Sequence, residues 1–327
     1  MLPLPFAPRP LAGEGLSSWV ARLAAHNFVT PADLWADLGS DDVVDLALDD
    51  GLLKRLSART RLDVRELGSC FAPGLAAAAP LALSQPWAIR GAACPACCRA
   101  AADAGGDHFV SAASANVWRV SCPEHRIRLV GLDGYALVLQ PGGARFVREG
   151  TNIVLGATAL TSCPDPATLG FEDTMMGVLS GRQPGPEWLP PSAATFLASA
   201  AALVEVVLWR TAGGYPFAHR FDEVSTNGSP AASVEPETRR RWAGLLADLP
   251  PRHRLNVCAA LATLLARPGA RSHAVAQLMD WDDPDLPGPF AFMFGEFDNR
   301  LRAIAAWRVE AWPDCIATPA RLALQKS

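Results

Sequence analysis

Three cysteines and one histidine form two short clusters whose residue types and spacing could bind one metal ion. The first cluster is C-P-A-C, from Cys94 to Cys97, and the second is C-P-E-H, from Cys122 to His125. Each cluster separates two soft ligands by two residues, so one tight turn can point both side chains at the same ion. Two such knuckles supply the closed Cys₃His tetrahedron of a structural zinc site, which leaves no position for a catalytic water. The pattern therefore predicts a Zn²⁺-binding module rather than a metalloenzyme.

Neighbouring residues leave alternatives open at this site. Cys98 adjoins Cys97, and His108 lies between the two clusters, so either could replace one of the four ligands. The thiols could also be ordinary small apolar side chains, since cysteine is common in protein cores. The segment between the knuckles is longer than in a minimal finger, which is tolerable because the cost of loop closure grows slowly with length. Spacing favours the four residues named first.

The composition and motif content exclude several classes of protein. The chain has 327 residues, of which 50% are hydrophobic, enough for two domains with a sizeable core. No apolar run reaches the roughly 18 residues that a membrane span needs. The N-terminus lacks the basic start and apolar stretch of a secretory signal, which predicts a cytoplasmic protein in a reducing compartment. We find no phosphate loop, dinucleotide, zinc-protease or serine-hydrolase motif, and we expect no enzymatic activity.

The charge of the chain argues against a dedicated binder of naked DNA. The net charge is −4, whereas such proteins usually present a strongly basic face. Arginines nevertheless occur in groups that could dock a nucleic acid or a protein partner, although charge runs are most often solvated surface. The candidate docking residues are Arg22, Arg119, Arg126, Arg128, Arg239, Arg240 and Arg241.

Two helices are expected directly after a proline-rich N-terminal arm. Apolar positions recur at helical spacing from Leu16, with either Ser17 or Ser18 as the N-cap. Thr30, followed by proline, starts a second helix, which ends at Gly39. A helix, a short turn and a second helix give the outline of a helix-turn-helix. Further short helices are expected over 52–56 and 64–70.

The segment around the knuckles is expected to contain short strands. Asp133 and Gly134 form a hairpin turn signal between two apolar runs, which predicts that these runs pair with each other. The expected strands cover 116–120, 127–132, 135–140, 146–147 and 153–155.

The last third of the chain is expected to be helical. Residues 192–211 are apolar nearly all round, which is typical of a buried helix. The stretch before them is rich in proline, glycine and aspartate, with one short helix expected over 172–179. Further helices are expected over 237–249, 251–265, 272–279 and 290–307, the last one with a break at Gly295.

Together these patterns predict a mainly α fold with a small zinc-pinned β segment. An N-terminal arm with helix-turn-helix-like helices is expected over 1–75. A zinc-binding module with short strands follows over 76–160, and residues 161–190 form a connector. A C-terminal helical domain is expected over 191–327.

Two stretches of the sequence resemble the TniQ family, the target-selection proteins of certain bacterial transposons, which are related to TnsD. The first is 6–24, where a proline-rich arm precedes G-L-S-S-W, similar to the family's Glu-Ser-Leu-Ser-Ser-Trp helix start. The second is the pair of knuckles, with Trp118 before the second knuckle. The likeness covers about residues 1–135. It departs from the family at Gly15, where serine is usual, and in 126–132, which supply no further Cys pair.

The resemblance implies a non-enzymatic protein that links a target to a transposon AAA+ ATPase of the TnsC type, which recruits the transposase. The target would be either a DNA site or an RNA-guided effector complex. The helix-turn-helix over 16–38 and the zinc knuckles would be docking surfaces, and the acidic net charge favours protein or ribonucleoprotein partners. Family members can form homodimers, which nothing in this chain's periodicity indicates.

Two other functions stay open from the sequence. One is a zinc-stabilised transcriptional regulator that binds DNA through the N-terminal helices. The other is a domesticated family remnant, a structural interaction protein whose partner is no longer a transposase. A nuclease is a third and weaker alternative, because the proline-rich turn contains carboxylates that could bind a metal ion. Loop carboxylates are usually only solvated; these are Asp282, Asp283 and Asp285.

Overall fold

A computed structural model of the chain describes residues 2–39, 50–71, 91–157, 163–182, 192–210, 217–218, 246, 249–265 and 289–326. The chain divides into two compact units, Met1–Cys163 and Pro164–Ser327. Helices dominate and the strands are few and short, so the predicted fold class is confirmed. The division predicted at residues 75, 160 and 190 stays a prediction. No helix in the described ranges is long and apolar enough to cross a membrane.

Over residues 2–39 and 50–71, four helices form the N-terminal part of the first unit. They share an apolar core that includes Trp19, Leu23, Leu34 and Leu56, each at most 3% exposed. The helical periodicity is confirmed, because the apolar residues that recur at helical spacing are the ones that meet in this core. The helices are α1 (Leu16–His26), α2 (Pro31–Asp37), α3 (Asp50–Thr60) and α4 (Val64–Phe71).

The starts of α1 and α2 differ in how they are capped. α2 begins as predicted, with a capping box in which the Thr30 hydroxyl accepts from the Asp33 N–H at 3.1 Å and the Asp33 carboxylate accepts from the Thr30 N–H at 3.4 Å. The N-cap of α1 is Gly15, and no side chain caps this helix. The predicted serine cap is therefore wrong, because the Ser18 hydroxyl instead donates to the carboxylate of Glu14 at 3.3 Å.

The described residues in the rest of the first unit form two small antiparallel sheets and one α-helix. Its elements are β1 (Ala92–Ala93), α5 (Pro95–Asp103), β2 (Val130–Gly131), β3 (Tyr135–Gln140) and β4 (Gly143–Arg148). β1 pairs with β2, and β3 pairs with β4. The turn at Asp133 and Gly134 does form, with Gly134 at φ 72°. It joins strands of different sheets, so the pairing predicted across it is wrong, because β2 already pairs with β1 beside the first knuckle.

A buried turn occupies the place of the strand predicted over 116–120. It follows a 3₁₀ helix, Ala112–Ala115. The Asn116 side chain accepts a hydrogen bond from the Trp118 N–H at 2.9 Å, which closes the turn. Val117 and Trp118 are at most 1% exposed. The strand prediction is wrong because these residues are apolar for another reason: they lie in a buried turn and not in a sheet.

A buried arginine joins the helices to the strand region. Arg22 in α1 is 2% exposed, and its guanidinium donates to both carboxylate oxygens of Glu14 at 2.7 Å. It also donates to the Asp107 carboxylate at 2.7 Å and to the Arg9 carbonyl at 2.8 Å. Asp107 in turn accepts from the N–H of Ala144 in β4 at 2.7 Å. One cation thus ties the N-terminal arm, α1 and β4 together.

The second unit is mainly helical in its described residues. The buried helix predicted over 192–211 is confirmed, and its side chains Phe196, Leu203 and Val207 are at most 1% exposed. The helices are α6 (Pro166–Leu179), α7 (Ala193–Val207), α8 (Pro251–Leu264), α9 (Pro289–Gly295), α10 (Asn299–Val309) and α11 (Asp314–Lys326). α8 packs against both α6 and α7.

Several boundaries in the second unit differ from the predictions. The helix predicted over 172–179 starts earlier, because Asp165 caps it by accepting hydrogen bonds from two N–H groups of its first turn. The break predicted at Gly295 is confirmed, and Asp298 caps the helix that follows. α11 was not predicted. The helices expected over 237–249 and 272–279 lie outside the described residues, except for positions 246 and 249.

Replacing Gly143 by alanine should destabilise the first unit. Gly143 has φ +125°, and a Cβ there would lie 2.6 Å from Oδ1 of Asp107. We expect the free energy of unfolding to fall by about 2 to 3 kcal/mol, from backbone strain and the clash together. Gly134→Ala is the control, because Gly134 has φ +72° and its added Cβ meets no atom within 4 Å. Urea unfolding should show a loss of only about 1 kcal/mol there, and equal losses would contradict the close approach.

Replacing Arg22 by methionine should be more damaging, because Glu14 would stay buried without its cation. We expect a loss of about 3 to 5 kcal/mol in unfolding free energy at pH 7, and partial recovery in Arg22→Met with Glu14→Gln. Burial already holds the pKa of Glu14 above its usual value. The buried carboxyl can therefore bind a proton as the pH falls, so the loss should be smaller at pH 5.

The matched control for this variant is Arg65→Met, since Arg65 is exposed in the same unit. Chemical unfolding at both pH values should change by less than about 0.5 kcal/mol for the control. A loss in Arg22→Met that is no larger than this would show that the buried ion pairs do not hold the unit together.

Candidate metal centre

The first knuckle lies at the junction of a strand and a helix. Cys94 follows β1 and is the N-cap of α5, and Cys97 lies in the first turn of that helix. The Cys97 N–H donates to Cys94 Sγ at 3.5 Å. A helix N-terminus favours negative charge, which suits cysteines that would bind a metal ion as thiolates. Pro95, the first helical residue, has the fixed φ that suits this position.

The second knuckle is the tip of a narrow β-like loop. The two sides of the loop are joined by the Ser121–Arg128 bridge and by a hydrogen bond from the Cys122 N–H to the Ile127 carbonyl at 2.9 Å. At the tip, the His125 N–H donates to Cys122 Sγ at 3.4 Å. Of the strand predicted over 127–132, Val130–Gly131 form β2, and Arg128 makes an isolated β-bridge with Ser121. The tight turn between Cys122 and His125 points both side chains to one side.

The four side chains have the separations of a tetrahedral zinc site. Bonds of about 2.3 Å to sulfur and about 2.0 Å to nitrogen place two sulfurs about 3.8 Å apart, and a sulfur and a nitrogen about 3.5 Å apart. Cys97 Sγ lies 3.7 Å from Cys122 Sγ. His125 Nδ1 lies 3.7, 3.3 and 3.6 Å from the sulfurs of Cys94, Cys97 and Cys122. All four ligand atoms lie within 4.8 Å of one another, so the cluster can hold a metal ion.

Protonation of the three thiols also fits a cation site. Hydrogen bonds with Cys94 and Cys97 lower the pKa of Cys122, whereas the hydrogen bond with Cys122 raises the pKa of each of the other two. The protein alone therefore favours one thiolate and opposes two more, because like charges would lie side by side. A divalent metal ion reverses this balance, since it binds thiolates and deprotonates coordinating thiols.

The two substitute ligands considered from the sequence are not part of the cluster. Cys98 points into the apolar core beside Phe146, is 2% exposed, and has its pKa raised by burial to about 12. His108 is fully buried and its Nδ1 accepts a hydrogen bond from the Phe146 N–H at 3.2 Å. Burial lowers the pKa of His108 to about 4, so the ring is neutral. Across the described ranges, the only group of three or more potential metal ligands is the Cys₃His cluster.

The predicted docking arginines have different surroundings. Arg22 is the buried cation of the first unit, and its guanidinium nitrogens all bond inside the chain. Arg119 is 8% exposed, and Arg126 and Arg128 are half-buried beside the second knuckle. Residues 239–241 lie outside the described residues, as do the carboxylates of the proline-rich turn. The docking role of all seven arginines stays a prediction.

Two carboxylates that bond the buried Arg22 were missed from the sequence. Glu14 is fully buried between the arm and α1, and its partner Arg22 lies eight residues further along. A glutamate just before a helix start and an arginine two turns into that helix could have predicted this ion pair from the sequence. Asp107 gave no such signal, because it lies 85 residues from Arg22 and only the folded chain brings the two together.

Replacing Cys94 or Cys122 by serine should abolish tight metal binding. Purified wild-type chain is expected to carry one zinc ion per molecule, measured by plasma emission spectroscopy, and each variant to carry almost none. Because metal binding contributes directly to folding, the Tm should fall by about 10 °C or more. Cys163→Ser is the control, since Cys163 is an exposed free thiol. Unchanged zinc content and Tm in Cys94→Ser and Cys122→Ser would contradict a metal centre.

Comparison with known proteins agrees with the arrangement of arm, helix pair and knuckles. The family model TniQ matches residues 5–129. This range contains the proline-rich arm, the helices α1 to α4 and both knuckles. No match to the chain was found among curated proteins or among solved structures. Residues 5–129 therefore match a TniQ domain, which supports the resemblance to the TniQ family seen in the sequence.

Proposed function

We propose that this chain is a non-enzymatic adaptor for target selection in transposition, with Zn²⁺ in its Cys₃His cluster. One surface would bind the target, either a DNA site or an RNA-guided effector complex, and another would bind the transposon's TnsC-like AAA+ ATPase. The observation that carries the proposal is the TniQ match over residues 5–129. Both parts of that match, the helices and the knuckles, lie in one compact unit that Arg22 ties together.

The donor set supports a structural role for the metal. Three thiolates and one imidazole fill a tetrahedron, so no open position is left to activate water, as a catalytic zinc requires. The ligands also suit zinc better than magnesium or calcium, which prefer oxygen. A cytoplasmic, reducing compartment, as the sequence predicts, would keep these cysteines available as metal ligands.

The second helix of the helix-turn-helix favours a protein partner over DNA. A DNA-reading helix usually presents basic and polar side chains to the major groove. The exposed side chains of α2 are instead Ala32, Asp33, Ala36 and Asp37. No lysine or arginine occurs over residues 23–38. Phosphate groups would meet no basic side chain of this stretch, which weighs against a regulator that reads DNA with these helices.

Affinity purification of the tagged full chain from its native cells tests the adaptor function. Mass spectrometry of the eluate and sequencing of bound nucleic acid should identify an AAA+ ATPase, with or without an RNA-guided complex. Cys122→Ser should lose the ATPase if the metal holds the docking unit together, whereas Cys163→Ser should retain it.

The other outcomes distinguish the competing functions. A discrete DNA site without an ATPase would favour the zinc-stabilised transcriptional regulator. Gel shifts with duplex DNA at about 50 mM salt, where phosphate contacts are strongest, would then be expected to show binding by the purified chain. A stable protein partner unrelated to transposition would favour a domesticated interaction protein, and would contradict the adaptor function.

A further inference from the structure

Three exposed apolar side chains cluster at the turn between α1 and α2. Phe28 is 80% exposed, Phe6 is 59% exposed and Val29 is 43% exposed. They are three of the eight large hydrophobic side chains that are exposed in the described part of the chain. We call Phe6, Phe28 and Val29 the turn patch. Isolated exposed apolar residues need no explanation, but apolar side chains that are exposed together at one turn are typical of interaction sites.

Phe28 is a bulky residue at a backbone position that normally takes glycine. The Phe28 N–H donates to the Ala25 carbonyl and the Val29 N–H donates to the Ala24 carbonyl, which is the Schellman pattern that ends a helix. Phe28 takes the left-handed position of this motif, with φ 56°. Glycine normally occupies that position, and Gly39 does so after α2, with φ 64°.

A bulky side chain in this conformation is uncommon and destabilises the folded chain. Packing of the Phe28 ring does not offset this destabilisation, because most of the side chain is exposed to solvent. Strain of this kind at the surface is often found where a residue serves binding. The aromatic side chain at this turn therefore points to a ligand outside the chain.

A side-chain amide fixes Phe6 beside the same turn. The Asn27 Oδ1 accepts from the Phe6 N–H at 3.1 Å, and its Nδ2 donates to the Phe6 carbonyl at 2.7 Å. The same Nδ2 donates to the Leu23 carbonyl in α1 at 2.7 Å. Asn27 thus joins the arm to the end of the helix. The turn patch is preorganised, which reduces the entropy lost when a partner binds it.

The charges around the turn patch indicate what kind of partner it fits. Exposed Asp33 lies in the first turn of α2, directly after the patch, and Asp37 lies one turn further and pairs with Arg59. No lysine or arginine occurs over residues 23–38. A nucleic acid or an anionic lipid surface is disfavoured by this charge. A protein pocket that is apolar at its centre and rimmed by lysine or arginine is complementary to it.

We propose that the turn patch inserts into an apolar, basic-rimmed pocket of a protein partner, with Phe28 as the central anchor. The proposal rests on the proposed adaptor function, because that function supplies a protein partner for this unit. It adds the surface, the anchoring residue and the chemistry of the partner's pocket. Aromatic anchors in a desolvated pocket commonly dominate the binding free energy of an interface.

The partner is identified by photo-crosslinking in the full-length chain. Phe28 is replaced by p-benzoyl-phenylalanine in the native cells, and the crosslinked protein is sequenced and purified. The Kd of that protein is then measured against wild type, Phe28→Asn and Ile153→Ser. Ile153 is the control, because it is 42% exposed in the same unit but is not part of the turn patch.

Phe28→Asn separates binding from folding. Asparagine tolerates the left-handed conformation better than phenylalanine, so the Tm should stay the same or rise by about 2 to 4 °C. Binding should nevertheless weaken by about 10-fold or more, while Ile153→Ser changes it less than about 2-fold. Wild-type affinity in Phe28→Asn, or crosslinks only to nucleic acid or to a second copy of the chain, would overturn the proposal.

A charge pair at Ala32 tests the basic rim. Ala32 is exposed in the first turn of α2. Ala32→Glu should bind as tightly as wild type or more tightly, and Ala32→Lys should bind several-fold more weakly at about 50 mM salt, with the difference shrinking at high salt. The opposite order would show that the rim is acidic and would overturn the proposal.

The surface and the adaptor function can fail separately. If an AAA+ ATPase co-purifies with Phe28→Asn at wild-type yield, the adaptor function stands and the docking surface is wrong. If the partner identified by crosslinking has no part in transposition, and Phe28→Asn no longer binds it, the docking surface stands and the adaptor function is wrong.

Discussion

The buried ion pairs of Arg22 are the interaction on which the first unit depends. A guanidinium that is 2% exposed must have its charge compensated and its donors bonded, and here Glu14, Asp107 and a backbone carbonyl do both. Those partners come from the arm and from a segment 85 residues away from Arg22. Because every partner is needed to keep the cation buried, the arm, the helix and the strand region adopt their positions together.

The metal cluster and the arginine network fix different parts of the same unit. The Cys₃His cluster joins the start of α5 to the loop that carries Cys122 and His125, and so sets the local shape of the knuckle module. The network sets where that module lies against the helices, since Asp107 also accepts from the N–H of Ala144 in β4. The proposed docking role would depend on both, because a partner recognises the relative positions of several surfaces.

Strain in this unit is concentrated at turns and not in its core. The non-glycine residues with positive φ in the described ranges are Phe28, Arg61 and Arg126. Phe28 lies at the turn of the helix pair, and Arg126 follows His125 of the Cys₃His cluster. Backbone strain of this kind persists only where the surrounding structure fixes it, and it is enriched at functional positions. The core, by contrast, is built from unstrained helices whose apolar residues follow their periodicity.

The four residues of the Cys₃His cluster, the helix pair and the mainly α fold could be predicted from the sequence, because C-x-x-C, C-x-x-H, capping residues and helical periodicity are local signals. The sequence did not show that Cys98 and His108 face the core, since a position beside or between the knuckles does not reveal the direction of its side chain. The partner of β2 and the turn at Asn116–Val120 also depended on contacts far along the chain. The burial of Arg22 was decided only by tertiary structure, because its compensation by Asp107 exists only when distant segments pack together.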